Sequence, residues 1–190
     1  MKKVTFLTVL IALTSLINAQ KIAHIDLDSL VNVMPEMKTA KEMAQTYMKD
    51  LEKTLLQMDE ELQKKYNDYM ANQATMSDLV KKTKEDEINS LQRRIEDFRM
   101  QAQQDYQKKQ GELTAPIVDK AKKAIEAVAK EGGYKYVLDT SPGTILYFES
   151  TEDVFVPVKK KLDAMPPAVL PSANTDKPKT TPAPNKTGVK

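Results

Sequence analysis

An eleven-residue apolar repeat fills the middle of this 190-residue chain and constrains its fold more than any other feature. Apolar or aromatic residues stand at Ala44, Tyr47, Leu51, Leu55, Met58, Leu62, Tyr66 and Tyr69, in steps of three and four. A second run keeps the same spacing through Leu91, Ile95, Phe98, Ala102 and Tyr106, then Leu113, Ile117, Ala124 and Val128. Such steps place the residues on one face of a helix. Eleven residues in three turns is about 3.67 per turn, so the stripe runs nearly straight or drifts weakly right-handed. Between the runs lies Asn72-Gln73-Ala74-Thr75-Met76-Ser77-Asp78. Asn72 can end one helix, and Thr75 or Ser77 can cap the next, with Asp78 at its positive end. The pattern predicts two long helices folded back on each other from Glu36 to Glu131, with Leu62 facing Ile88 and Leu51 near Phe98. Each arm of about 36 residues extends roughly 55 Å. The stripe is narrow and the rest is Lys, Glu, Gln and Asp, so the hairpin has little core of its own and should be thin, exposed and mobile.

Residues 1–19 read as a secretory signal. Lys2 and Lys3 precede an apolar run from Val4 to Ile17, and Ala19 offers a small residue before the cut. The run is shorter than the ~20 residues a membrane span needs. The mature chain is expected to begin at Gln20 and to work outside the cytoplasm. With no cysteine it carries neither a lipid-modified N-terminus nor a disulfide. Removing the two signal lysines leaves acids and bases balanced at a formal net charge of zero, despite 29 basic and 27 acidic residues overall. The charge is unevenly placed. The hairpin tip gathers Lys64, Lys65, Lys81, Lys82 and Lys84 against Asp68 and Asp78, whereas Glu36 to Glu61 holds seven acids and four lysines.

Lys21 to Asp28 (KIAHIDLD) reads as a strand with Ile25 and Leu27 on one face, and Pro35 suits the first turn of the following helix. Pro116 lies inside the returning helix, where it costs a hydrogen bond and should kink the helix at the junction of arm and body. Gly132-Gly133 ends that helix. Tyr134 to Asp139 and Thr144 to Glu149, joined by Thr140-Ser141-Pro142-Gly143, give a β-hairpin signal. Asp153 to Leu162 is expected to begin as a strand and end as a helical turn. From Pro166 the composition turns to Pro, Thr, Lys and Ala, with six of the ten prolines. Such a segment cannot bury enough surface to fold and reads as a disordered tail, 166–190. The organisation is therefore an α+β fold. A helical arm, 36–115, projects from a small β-body, 20–35 and 116–165. Some 65 residues with few strands are near the size where isolated domains become marginal, and short sheets leave open edges, so the body is expected to assemble by oligomerisation.

Catalysis is not expected. With no Cys and the single His24, neither a nucleophilic triad nor a His-based metal cluster can be assembled. His24 reads as a structural histidine. Acidic runs such as Asp59-Glu60-Glu61 are solvated helix faces, and Gly132-Gly133 ends a helix rather than opening a phosphate loop. No cofactor or metal is called for. Nucleic acid is an unsuitable partner for a neutral, exported chain without stacking aromatics near its lysines. Methionine is more informative, because eight of ten lie from Met34 to Met100. Met43, Met48, Leu56, Met70, Met76 and Met100 stand beside the stripe. They either widen it or offer weak, adaptable contacts to a varied partner.

The strand KIAHIDL after a signal, the long charged hairpin, and the ending AIEAVAKEGGYKYVLD…TILYFESTEDVFVPVKKKL together resemble the Skp/OmpH family of periplasmic chaperones. The resemblance falls on Ile25-Asp26, on Ala124 to Asp139 and on Asp153-Val154, with Phe155 where the family usually has Thr, and covers about residues 21–163. It implies a homotrimer in the periplasm whose three arms surround a cavity. There, unfolded outer-membrane β-barrel proteins are held without ATP and kept from aggregating. Two features depart from it: the mature chain is neutral where such proteins are strongly basic, and the tail extends beyond the family core. The basic tip is suited to a membrane surface. The alternative reading is a structural coiled-coil scaffold or tether of the cell envelope that uses the tail.

Overall fold

A computed structural model describes residues 21–171. The expected signal segment and all of the tail beyond Pro171 lie outside the described residues. The elements in chain order are strand β1 (Ile22–Ile25), helix α1 (Leu27–Asn32), helix α2 (Pro35–Asn72), helix α3 (Asp78–Gly132), strand β2 (Tyr136–Asp139) and helix α4 (Phe155–Asp163). Short 3₁₀ turns occupy Gln73–Thr75 and Ser150–Glu152. By contacts the chain divides into two compact units. Among the described residues, one takes 21–34 with Val118–Pro167, and the other takes Pro35–Ile117 with 168–171.

The second unit is the expected hairpin. Pro35 opens α2 and Asn72 closes it. Ser77 precedes α3; its carbonyl accepts from Lys81 N at 2.9 Å, and its hydroxyl from Val80 N at a long 3.5 Å. Ala44, Leu51, Leu91, Ile95, Leu113 and Ile117 are buried, as the repeat requires, and Leu51 and Phe98 line one groove. The pairs that meet across the hairpin (Lys65 with Glu87, Tyr69 with Glu85, Asp59 with Arg99) are displaced by a few residues from the expected register, because the turn is centred nearer Ser77 than Thr75. Helix α3 is not interrupted at Pro116. Proline has no N–H to offer Glu112, and the division between the two units falls just beyond it, at Ile117 and Val118.

The first unit is small and tightly buried. Leu30, Ala121, Ala124 and Val158 are fully enclosed, with Ile25, Val154 and Leu162 nearly so. Strand β1 pairs parallel with β2, Ile22 opposite Tyr136 and Ile25 opposite Asp139. Its other edge meets Asp153, and Val154 N donates to the His24 carbonyl at 3.0 Å. Three expectations are corrected here. Leu27 is not on a strand face, because β1 stops at Ile25 and Asp26 caps α1. Its carboxylate accepts from Ser29 N at 2.8 Å and from Ser29 Oγ at 2.7 Å. Thr144 to Glu149 is not a strand, and β2 pairs with β1 instead of with it. Leu146 and Tyr147 are 95% and 80% exposed, so the segment lacks the half-buried surface that β-formers need. The stretch after Pro166 is not free throughout, since Ala168 N donates to Glu36 Oε1 at 3.0 Å.

The C-terminus of α3 shows why two glycines stand there. Gly133 has φ +67°, Tyr134 N donates to the Ala129 carbonyl and Gly133 N to that of Lys130, a Schellman closure. A Cβ on Gly132 would stand 2.3 Å from Tyr134 Cε2. The Tyr134 ring in turn lies 4.3 Å from Lys21 Nζ, which donates to the Gly132 carbonyl.

Candidate functional site

Burial falls along α2, whereas on α3 Ile95, Leu91 and Ile88 stay buried toward the tip. On α2 the last buried residue is Leu51, after which Leu55, Met58 and Leu62 are half-buried and Tyr66 is exposed. Two antiparallel helices alone cannot cover a stripe on both sides, so the distal arm keeps apolar surface in water. The six residues flagged beside the stripe do not converge on one pocket. Met43, Met48 and Met76 are half-buried, whereas Met70 is exposed and Leu56 and Met100 are each 62% exposed. Met48 borders a shallow groove of about 140 Å³ with Leu51, Leu55, Phe98, Ala102 and Tyr106. Met76 borders a wider hollow of about 460 Å³ at the tip, beside Lys65, Tyr69, Lys84 and Ile88. The arrangement is a dispersed set of flexible apolar side chains, suited to many weak contacts rather than to one shaped ligand.

The tip lysines divide into two groups. Lys65 and Lys84 both reach Glu87, at 3.1 and 3.5 Å. The hydrogen bond from Lys65 holds the Glu87 carboxyl below its ordinary range, and this one carboxylate offsets one of the two lysine charges. Lys64, Lys81 and Lys82 form no ion pair among the described residues. The Tyr69 hydroxyl donates to Glu85, which pushes the phenol above its ordinary value and ties the arms together near the turn.

Sequence reading missed two features of the arm. Leu79 is 77% exposed and Val80 is exposed beside Lys81 and Lys82, giving the tip an apolar cap as well as a charge. The signal was an apolar pair at the helix start with Leu79 outside the stripe. Lys109 is the second. It stands eleven residues after Phe98 and therefore holds a stripe position. It is only 5% exposed, with Nζ 5.8 Å from the Tyr47 ring centroid and 4.0 Å from Glu112. A lysine stem can fill an apolar seam while its head seeks a π face and a carboxylate. The gap between Tyr106 and Leu113 marked the place; the charge disguised it.

His24 serves packing. Its Nε2 lies 2.9 Å from the Glu149 carbonyl and its ring centroid 4.1 Å from that of Phe148, so it pins the irregular segment to β1. Among the described residues no group of three His, Cys, Asp or Glu is placed to hold a metal ion, and no helix is long and apolar enough to cross a membrane. Asp139 Oδ1 accepts from Leu27 N at 3.2 Å, Ser141 N at 3.0 Å and Ser141 Oγ at 2.7 Å, an arrangement that anchors the turn after β2 to the start of α1.

Comparison with known proteins accounts for this architecture. The chain is 26% identical over 157 residues to the chaperone protein Skp of Yersinia enterocolitica, covering 80% of this chain and 92% of that one. It is 23% identical over 154 residues to the Skp protein of Pectobacterium atrosepticum, covering 81% and 92%. A solved structure of an OmpH-like protein from Caulobacter crescentus CB15 superposes with a TM-score of 0.66 at 12% identity, over 76% of this chain and 84% of that one, which shows the shared fold. The family model for outer membrane protein (OmpH-like) matches residues 21–162. With well over half of its length so matched, the chain belongs to the Skp/OmpH family, whose members are chaperones rather than enzymes.

Proposed function

We propose that this chain is an ATP-independent holdase of the periplasm. In this reading it works as a homotrimer, holds unfolded outer-membrane β-barrel proteins between its arms and keeps them from aggregating. The observation that carries the reading is the distal arm. Its exposed apolar residues stand on both helices, with Leu56 on α2 and Met100 on α3, beside a seam that is buried on α2 as far as Leu51 and on α3 as far as Ile88. A client chain can engage many such points weakly and leave without an energy source, since no single contact is strong. Met43, Met48, Met70 and Met76 extend the same surface. The cap of Leu79 and Val80 with Lys64, Lys81 and Lys82 suits either a client or an anionic membrane surface.

The body supports assembly with further copies. Leu146, Tyr147, Val156, Tyr136 and Phe148 are exposed in one small unit, and among the described residues the outer edge of β2 is unpaired. Exposed apolar surface beside an open strand edge is ordinarily covered by a partner, and a second and third copy of the same chain would supply one. The export signal read from residues 1–19 supports the periplasmic location.

The test is light scattering of a urea-denatured β-barrel protein diluted into buffer with the mature chain. Suppression at one trimer per client, without nucleotide, is the expected outcome. Turbidity equal to that of the client alone would remove the reading. Replacing Leu56, Met70 and Met100 together by Ser should weaken suppression several-fold at unchanged helix content.

A further inference from the structure

One position in the arm breaks the size pattern of the repeat. Leu91, Ala102 and Leu113 stand eleven residues apart on α3 and share one place in the stripe. Leu91 and Leu113 are buried, at 2% and 1% exposure, whereas Ala102 is half-buried. Ala124, the next in the series, is just as small but is fully enclosed. At Ala102 the bulk that would fill the seam is missing, and a groove of about 140 Å³ opens there between Met48, Leu51, Leu55, Phe98 and Tyr106. An alanine where the packing has room for leucine leaves a hole of this kind when its neighbours do not collapse into it.

The size and walls of the groove select one kind of occupant. An apolar cavity of about 150 Å³ lined by Leu, Ile and Phe holds a single benzene ring. Phe98 and Tyr106 lie one turn to either side of Ala102 on α3, about 12 Å apart along the axis. A ring set over Ala102 would lie about 6 Å from each, inside the range of roughly 4.5–7 Å that aromatic pairs prefer. The α2 wall adds Leu51, Leu55 and the Met48 thioether, whose sulfur suits a ring edge. The Tyr106 wall is held in place, since Gln110 Nε2 donates to its hydroxyl at 3.0 Å. We infer that the groove over Ala102 is a subsite for one aromatic side chain of a bound client. Unfolded β-barrel chains supply such side chains, because the folded barrel carries aromatic girdles at both membrane interfaces. The source of the ring rests on the holdase reading, whereas the fit of a ring rests on the groove alone. A single ring, half-open to water, is held weakly, in keeping with release without nucleotide.

The test is methyl NMR of the mature chain, isotope-labelled at its methionine methyls and titrated with N-acetyl-phenylalanine amide or N-acetyl-leucine amide. The aromatic amide should shift the Met48 methyl upfield and saturably, and the leucine amide several-fold less at equal concentration. Met48→Leu identifies the resonance. Ala102→Leu, which restores the size found at Leu91 and Leu113, should abolish the shift at unchanged helix content and weaken suppression of client aggregation. Equal shifts from the two amides would overturn the inference. So would shifts spread evenly over Met48, Met70 and Met100, or a Met48 shift that persists in Ala102→Leu. The comparison of the two amides in the unaltered chain decides even where Ala102→Leu distorts the arm. Unaltered chain that takes the ring but suppresses no aggregation removes the holdase reading and leaves the subsite standing. Suppression undiminished by Ala102→Leu overturns the assignment of the ring to a client.

Discussion

The arm and the body are built on opposite principles. The body concentrates burial: Leu30, Ala121, Ala124 and Val158 are wholly enclosed, and carboxylates cap the turns around them. The arm spreads a thin seam over a long distance, and its α2 side opens from buried Leu51 to exposed Tyr66 while its α3 side stays buried as far as Ile88. The enclosed body side chains therefore support a fixed structure, whereas the exposed arm side chains, such as Leu56, Tyr66 and Met100, contribute little to folding and are available for something else. A holdase needs this division, since a surface that adapts to clients must not be the surface that holds the protein together.

The comparison is sharpened most by removing equal side chains from the two regions. Leu30→Ala in the body should cost about 2–5 kcal/mol in urea unfolding, the range for a wholly enclosed leucine. Leu62→Ala in the distal arm should cost less than half as much, and equal costs would refute the division. Next is the helix closure. Gly133→Ala, at φ +67°, should lower stability by about 1–2 kcal/mol through the left-handed backbone it forces on a Cβ.

The capping carboxylates come third. Hydrogen bonds from Ser29 hold Asp26 below its ordinary 3.8. Burial raises Asp139, but hydrogen bonds from Ser141 and Leu27 outweigh it and leave it lowered as well. A lowered folded pKa stabilises at pH above the ordinary value and loses that contribution as pH falls through the folded one. The body's urea midpoint should thus be flat from neutrality to about pH 4 and fall below it, the carboxylate range. Asp26→Asn with Asp139→Asn should start lower and flatten that fall. Smaller still is the ion pair of the tip. Glu87→Gln should change stability by less than about 1 kcal/mol, because the side chains of Lys65 and Glu87 are 35% and 40% exposed and salt screens them. Leu79→Ser with Val80→Ser should not move the unfolding curve at all, yet should reduce client or vesicle binding.

Much of the arm was legible because its information is local and periodic. Steps of three and four, a turn rich in Asn, Thr and Ser, and Pro35 at the start fixed two helices and their ends. The register between them was less so, because it depends on how the turn spends its residues. Lys109 was missed because a charged residue in a seam breaks the hydrophobic pattern that reveals the seam. The body was harder to read. Ile25 and Leu27 alternate as a strand would, and only the spacing of Asp26 and Ser29 announces a capped helix there. The pairing of β1 with β2 joins residues more than a hundred positions apart, which no local pattern encodes. Thr144 to Glu149 has the composition of a strand but meets β1 through the His24 side chain, at Phe148 and Glu149, and not through a backbone ladder. The client surface proposed above leaves no motif at all, since weak adaptable contacts require no fixed spacing.

The most direct test of the account is the solution mass of the mature protein, by light scattering coupled to size exclusion, with and without an equimolar urea-denatured outer-membrane β-barrel protein. The account predicts a trimer that gains the mass of one client. A monomer or dimer whose mass is unchanged by the client would contradict it.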